Sequence, residues 1–254
     1  MVGVVIRPGL LWGGGESHDR RPNEMPGAMP WCLEGRPLDR EEADAVLARI
    51  DAKAGEIHTL AADFEQRRYT PLLKEPLVSE GLVRVVPTMT RWDTHLPRAS
   101  IMVSDATTLK IYDPEARILE IYEMEERLTG LMFSPMPRTS QLRRYFELEV
   151  MAAERANPNE AEEESAGELP GESIYCIRLT PRQQWSQHVQ WAMAEIDADR
   201  GVLRRVAWAD PDGDRTEIRF AQVKLNEALS PDGLALALPG DVKIVRPLEA
   251  LSGE

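Results

Sequence analysis

Two cysteines, Cys32 and Cys176, are all that the 254 residues contain, so there is no disulfide framework and no CxxC pair of the zinc kind. No apolar run approaches the roughly eighteen residues of a membrane-spanning helix. Basic side chains are also in deficit, at 30 against 43 acidic, for a formal charge of −13 and a pI near 4.9. Phosphate recognition needs a basic stripe, so nucleic acid is excluded as the main partner. Aromatic residues make up 6% of the chain.

The motifs of common chemistry are missing too. Four histidines, His18, His58, His95 and His188, fall in different segments without HxH or HExxH spacing, so no metal site is expected. There is no GxSxG elbow, no Walker lysine and no GxGxxG, and no cofactor is expected. Asp210, Asp212 and Asp214 resemble the start of a calcium loop, but Gly213 comes too early and Ala221 occupies the position of the closing glutamate. That segment reads as a hairpin turn. No nucleophile has a base in view, and no catalysis is expected.

What the chain does have is a composition 43% hydrophobic and 29% charged, that of a globular protein with a sizeable core. Residues 1–37 mix Gly, Pro and charges without period, and lack the basic start and unbroken apolar run of a secretory signal. They read as a disordered leader or a misassigned start, ahead of a single domain over 38–250. Residues 39–59 follow with acids at the start and Leu47, Ile50, Ala54 and Ile57 on one helical face. From 60 to 122 the period shortens to two, with turns at 97–98, 105–106 and 113–116, which predicts successive strands. Residues 140–154 read as a helix inserted within the sheet. Residues 153–172 hold seven acids and one base, and read as a mobile solvated loop. Strands resume over 173–180, 189–197, 202–209, 215–225 and 242–245. The total is nine to eleven antiparallel strands in a mainly β (α+β) fold, with no strand–helix alternation.

One stretch is specific. Over residues 81–114, Pro87, Trp92, Pro97, Val103-Ser104-Asp105, Leu109, Tyr112 and Pro114 follow one another at the spacing of the periplasmic outer-membrane lipoprotein carriers, the LolA-like family, which this chain resembles. Ile57-His58, Phe64-Glu65-Gln66, 177–181 and 196–201 add fainter likenesses. The resemblance implies an incomplete, curved antiparallel barrel with helices as a lid over an apolar cavity. It also implies a non-enzymatic monomer in the periplasm, which takes lipoprotein acyl chains from an inner-membrane exporter to an outer-membrane receptor. By the same resemblance the cavity is lined by Leu82, Trp92, Met102, Leu109, Ile111 and the lid residues Leu131, Met132 and Phe133. Where the family commonly has a latch arginine this chain has Val86, and Arg84, two residues earlier, is the substitute candidate. The alternative is an envelope-stress sensor or lipid- or glycolipid-binding protein of the same fold, acting through a protein partner.

Overall fold

The computed structural model describes residues 35–123, 135–136, 138–152, 173–183 and 185–247. Residues 1–34 of the expected leader, the lid residues Leu131, Met132 and Phe133, and the acidic 153–172 stretch lie outside the described residues, while Arg36 and Pro37, expected in the leader, join the sheet as a strand.

Helix α1 (Arg40–Gly55) starts where its caps dictate. The Asp39 carboxylate accepts from the Glu42 amide at 2.9 Å, and the Glu42 carboxylate accepts from the Asp39 amide at 3.2 Å, closing a capping box. Leu47, Ile50 and Ala54 form its buried stripe. The remaining chain builds one sheet of thirteen strands: β1 (Arg36–Pro37), β2 (Leu60–Tyr69), β3 (Leu77–Val86), β4 (Met89–Leu96), β5 (Ser100–Ser104), β6 (Thr108–Asp113), β7 (Ile118–Glu123), β8 (Phe146–Ala152), β9 (Ile174–Pro181), β10 (Trp191–Asp197), β11 (Val202–Ala209), β12 (Arg215–Leu225) and β13 (Lys243–Val245). Their spatial order is β1-β8-β9-β10-β11-β12-β2-β3-β4-β5-β6-β7-β13. The sheet is curved and unclosed, since β1 and β13 are its two edges. Every neighbouring pair is antiparallel except β13, which lies parallel to β7.

Two features depart from the expectation. The strand count exceeds the expected nine to eleven, because β1 and a full-length β8 enter the sheet. The helix expected over 140–154 is instead one short turn, α2 (Thr139–Leu142), followed by β8. Leu142, Tyr145, Phe146 and Leu148 satisfy a helical spacing locally. Pairing with β9 selects the other period, setting Leu148 opposite Leu179 and Val150 opposite Ile177.

Residues opposite one another in antiparallel strands share a face, so the register sorts the whole sheet. The inner face is the one that α1 covers. Under α1 lie Val150, Ile177, Leu179, Ala194 and Ile196, packed with Leu47 and Ile50. Gly201, at φ +69°, lets the β10–β11 turn press against this helix, where a Cβ would lie 2.4 Å from the Ala54 amide nitrogen. Helix α2 is tied to α1 from its first residues: the Asp51 carboxylate accepts from the amides of Thr139 (2.7 Å) and Ser140 (2.9 Å). On the outer face, the short α3 (Pro231–Leu234) buries Leu234, and β13 follows it to the sheet edge.

Candidate functional site

Beyond α1 the inner face continues as a second apolar cluster, Leu60, Ala62, Phe64, Val83, Val85, Trp92, Ile218 and Phe220 among its members. Its centre is aromatic. Phe64 and Trp92 meet edge to face with centroids 4.8 Å apart, and Trp92 and Phe220 lie 5.9 Å apart at 56°. The register brings them together: Phe220 is opposite Phe64, Phe64 opposite Gly81, and Val83 opposite Trp92. Gly81 makes room for this. A Cβ there would lie 2.0 Å from the Asp93 carbonyl oxygen and 2.9 Å from Phe64 Cε1, so only glycine lets the Phe64 ring lie across β3.

From Trp92 the face extends through Met102, directly opposite it, to Ile111, opposite Met102, and to Leu109, opposite Ser104. Trp92, Leu109 and Ile111 are buried, whereas Met102 is half-buried. Val206, Trp208 and Met136 also pack against the cluster while keeping part of their surface exposed. Met136 arrives with Pro135, whose carbonyl oxygen accepts from the Leu203 amide at 3.1 Å. Phe220, Trp208 and Met136 were not singled out from sequence. The available signal was parity, since Ile218 and Phe220, like Val206 and Trp208, are spaced two apart on their strands.

Leu82 and Arg84 take the opposite, outer face. Leu82 stands opposite Asp93, and Arg84 opposite Arg91. Two guanidiniums side by side repel one another, and Asp93 resolves the repulsion by pairing with both Arg84 and Arg91, the latter at 2.8 Å. Burial pushes the Asp93 carboxyl up, but hydrogen bonds from Arg91 and Arg84 outweigh it and hold it below the ordinary aspartate value. Arg91 also donates to the carbonyls of Leu234 (3.2 Å) and Ala235 (2.8 Å), fixing the C-terminal segment to the outer face. The acyl-lining set expected from sequence therefore divides: Trp92, Met102, Leu109 and Ile111 are brought together and Leu82 is not, while the latch candidate Arg84 lies with Leu82 on the outer face.

The inner face offers apolar area; among the described residues no group of three or more His, Cys, Asp or Glu is placed to hold a metal ion. A surface of this kind binds by removing an apolar ligand from water. On the outer face, Cys176 is 2% exposed beside Met151 and Met193 and takes part in a disulfide. Cys32, the only other cysteine of the chain, lies outside the described residues.

The family described as "Outer membrane lipoprotein carrier protein LolA" matches residues 55–168. A Vibrio cholerae outer-membrane lipoprotein carrier protein is 26% identical over 165 residues, which are 65% of this chain and 72% of that protein. One from Pseudomonas syringae pv. tomato is 22% identical over 203 residues, 79% of this chain and 87% of that protein. Among solved structures, an uncharacterized conserved protein from Thermus thermophilus aligns at 14% identity with a TM-score of 0.48, over 81% of this chain and 99% of that one.

Proposed function

We propose that this chain, whose residues 55–168 match the lipoprotein carrier family, carries lipidated proteins by holding their acyl chains against the inner face around Trp92. The family is one of carriers and not of enzymes, and a lipoprotein- or lipid-binding role is what the relatives support. The observation that carries the finer reading is the continuous apolar surface Phe64–Trp92–Met102–Ile111. Within it Met102, and beside it Val206 and Trp208, keep exposed area that no described part of the chain covers.

The physics suits a carrier. Each methylene removed from water contributes about 0.8 kcal/mol, so a long acyl chain binds firmly to an open apolar face. Release then requires contacts that yield, and the thioether of Met102 adapts to chains of different shape. Residues 124–134, with Leu131, Met132 and Phe133, join Glu123 of β7 to Pro135 beside β11. Seven strand positions separate those two strands in the sheet order. The lid that the family resemblance implies at Leu131, Met132 and Phe133 falls on this connection, outside the described residues. The proposed setting is the periplasm, between an inner-membrane exporter and an outer-membrane receptor. Among the described residues no helix is long and apolar enough to cross a membrane.

Short-range quenching tests the reading. A diacyl lipid brominated along its chains should quench the fluorescence of Trp92 and Trp208 on the inner face, and leave Trp191, on the outer face, unaffected. With Trp92→Phe and Trp208→Phe combined, the quenchable fraction should fall sharply while binding persists. Equal quenching of that double variant and the native chain would place the lipid elsewhere and refute the proposal.

A further inference from the structure

Among the described residues, six large hydrophobic side chains are exposed, and three of them, Leu72 (91%), Leu73 (49%) and Leu96 (56%), cluster at one end of the sheet. Leu72 and Leu73 form the tip of the β2–β3 connection, and Leu96 ends β4 in the next connection along that end. The tip is shaped, not loose. Pro71 and Leu72 lie inside a turn closed by the Leu73 amide, which donates to the Thr70 carbonyl at 3.1 Å. Its stalk is fastened to the β11–β12 hairpin: Arg68 Nε donates to Asp214 at 3.0 Å, and the Arg215 guanidinium lies 4.0 Å from the centre of the Tyr69 ring. Polar fastening below and bare leucines above hold apolar area in water where the fold itself gains nothing from it.

We propose that this tip inserts into the interface of a lipid bilayer, with Leu72 and Leu73 as the inserting pair. Two leucines standing out on a fixed turn suit a fluid apolar medium that needs no matching socket. The neighbouring charges choose the kind of bilayer. Lys74, next to Leu73, is offset by the adjacent Glu75, and Asp210 and Asp212 on the hairpin beside the tip disfavour an anionic surface, as does the chain's net charge of −13. A zwitterionic surface fits, entered by apolar contact. This inference goes beyond the carrier reading and does not depend on it, because it concerns bilayers without cargo.

The test is co-sedimentation of the full chain with phosphatidylcholine vesicles, repeated with a share of phosphatidylglycerol and at raised salt. Expected are measurable partitioning into phosphatidylcholine, no gain from phosphatidylglycerol, and little dependence on salt. Leu72→Gln and Leu73→Gln, both at exposed positions, should each weaken partitioning about tenfold with an unchanged melting temperature. Lys74→Gln should change it little. Three results would each overturn the proposal. One is absence of binding to any vesicle, which would assign the tip to a socket on a protein partner. Another is equal binding by the Leu72→Gln, Leu73→Gln double variant. The third is binding that requires phosphatidylglycerol and disappears in salt.

Discussion

Replacing Asp93 with alanine would strand two arginines. Arg84 and Arg91 are directly cross-strand, their side chains are 27% and 13% exposed, and both are neutralised by the one carboxylate, itself 12% exposed. Removing one partner of a largely buried ion pair costs about 3–5 kcal/mol, because an uncompensated charge stays behind. Water reaches part of Arg84, so the lower end, about 3 kcal/mol, is the expected loss at neutral pH. Arg84→Met leaves the Arg91–Asp93 pair in place and removes a charge from beside Arg91. Its cost should be about 1 kcal/mol or less. The sign with pH follows from the depressed Asp93 value. This contribution is present above 3.8, the ordinary aspartate value, and is lost as pH falls through the lower folded value. Urea unfolding followed by tryptophan fluorescence should therefore show the gap between the native chain and Asp93→Ala narrowing in acid. A cost below about 0.5 kcal/mol at neutral pH, the range of an ordinary surface substitution, or a gap that widens in acid, would refute the reasoning.

Three further outcomes follow from particular atoms. Gly81→Ala sets a methyl group 2.0 Å from the Asp93 carbonyl and against Phe64, and should cost more than about 3 kcal/mol, the upper end for overpacking, in the same unfolding assay. Asp197 is 1% exposed and its carboxyl is pushed up by burial, while it accepts from the amides of Asp199 and Arg200, both at 2.9 Å. A raised folded value means that its contribution to stability is greatest below 3.8 and is lost as pH rises. Asp197→Asn keeps the acceptor and should raise the melting temperature at neutral pH, with the gain disappearing in acid. Alkylation of the unfolded, unreduced protein should leave Cys176 unlabelled, as read by peptide mass, and reduction should expose it.

How far the sequence could be read depended on whether local pattern and long-range pairing agreed. In β2, Ala62, Phe64 and Gln66 alternate cleanly with Asp63, Glu65 and Arg67, and the strand lies where that period puts it. The capping acids of α1 were equally direct. In β3 the run Leu82-Val83-Arg84-Val85-Val86 is apolar on both parities, so the period alone cannot say which side faces inward. Pairing with β2, which puts Phe64 opposite Gly81, decides it, and Leu82 and Arg84 go outward. Segment 140–154 failed for the related reason that its spacing serves a helix or a strand until β9 is present. The spacing from Pro87 to Pro114 carried the likeness to the lipoprotein carriers because it fixes a chain of hairpins and their turns. It did not contain Phe220 or Trp208, which reach the same face from more than a hundred residues downstream of Trp92.

The central claim is that the inner face holds acyl chains, and its most direct test is mass spectrometry of organic extracts from the full chain, expressed with an export signal and purified without detergent. The account predicts a diacyl or triacyl species near one per chain, lost on Trp92→Phe, Met102→Glu and Trp208→Glu combined. A folded native chain that yields no lipid, or a triple variant that folds and retains it in full, would contradict the account.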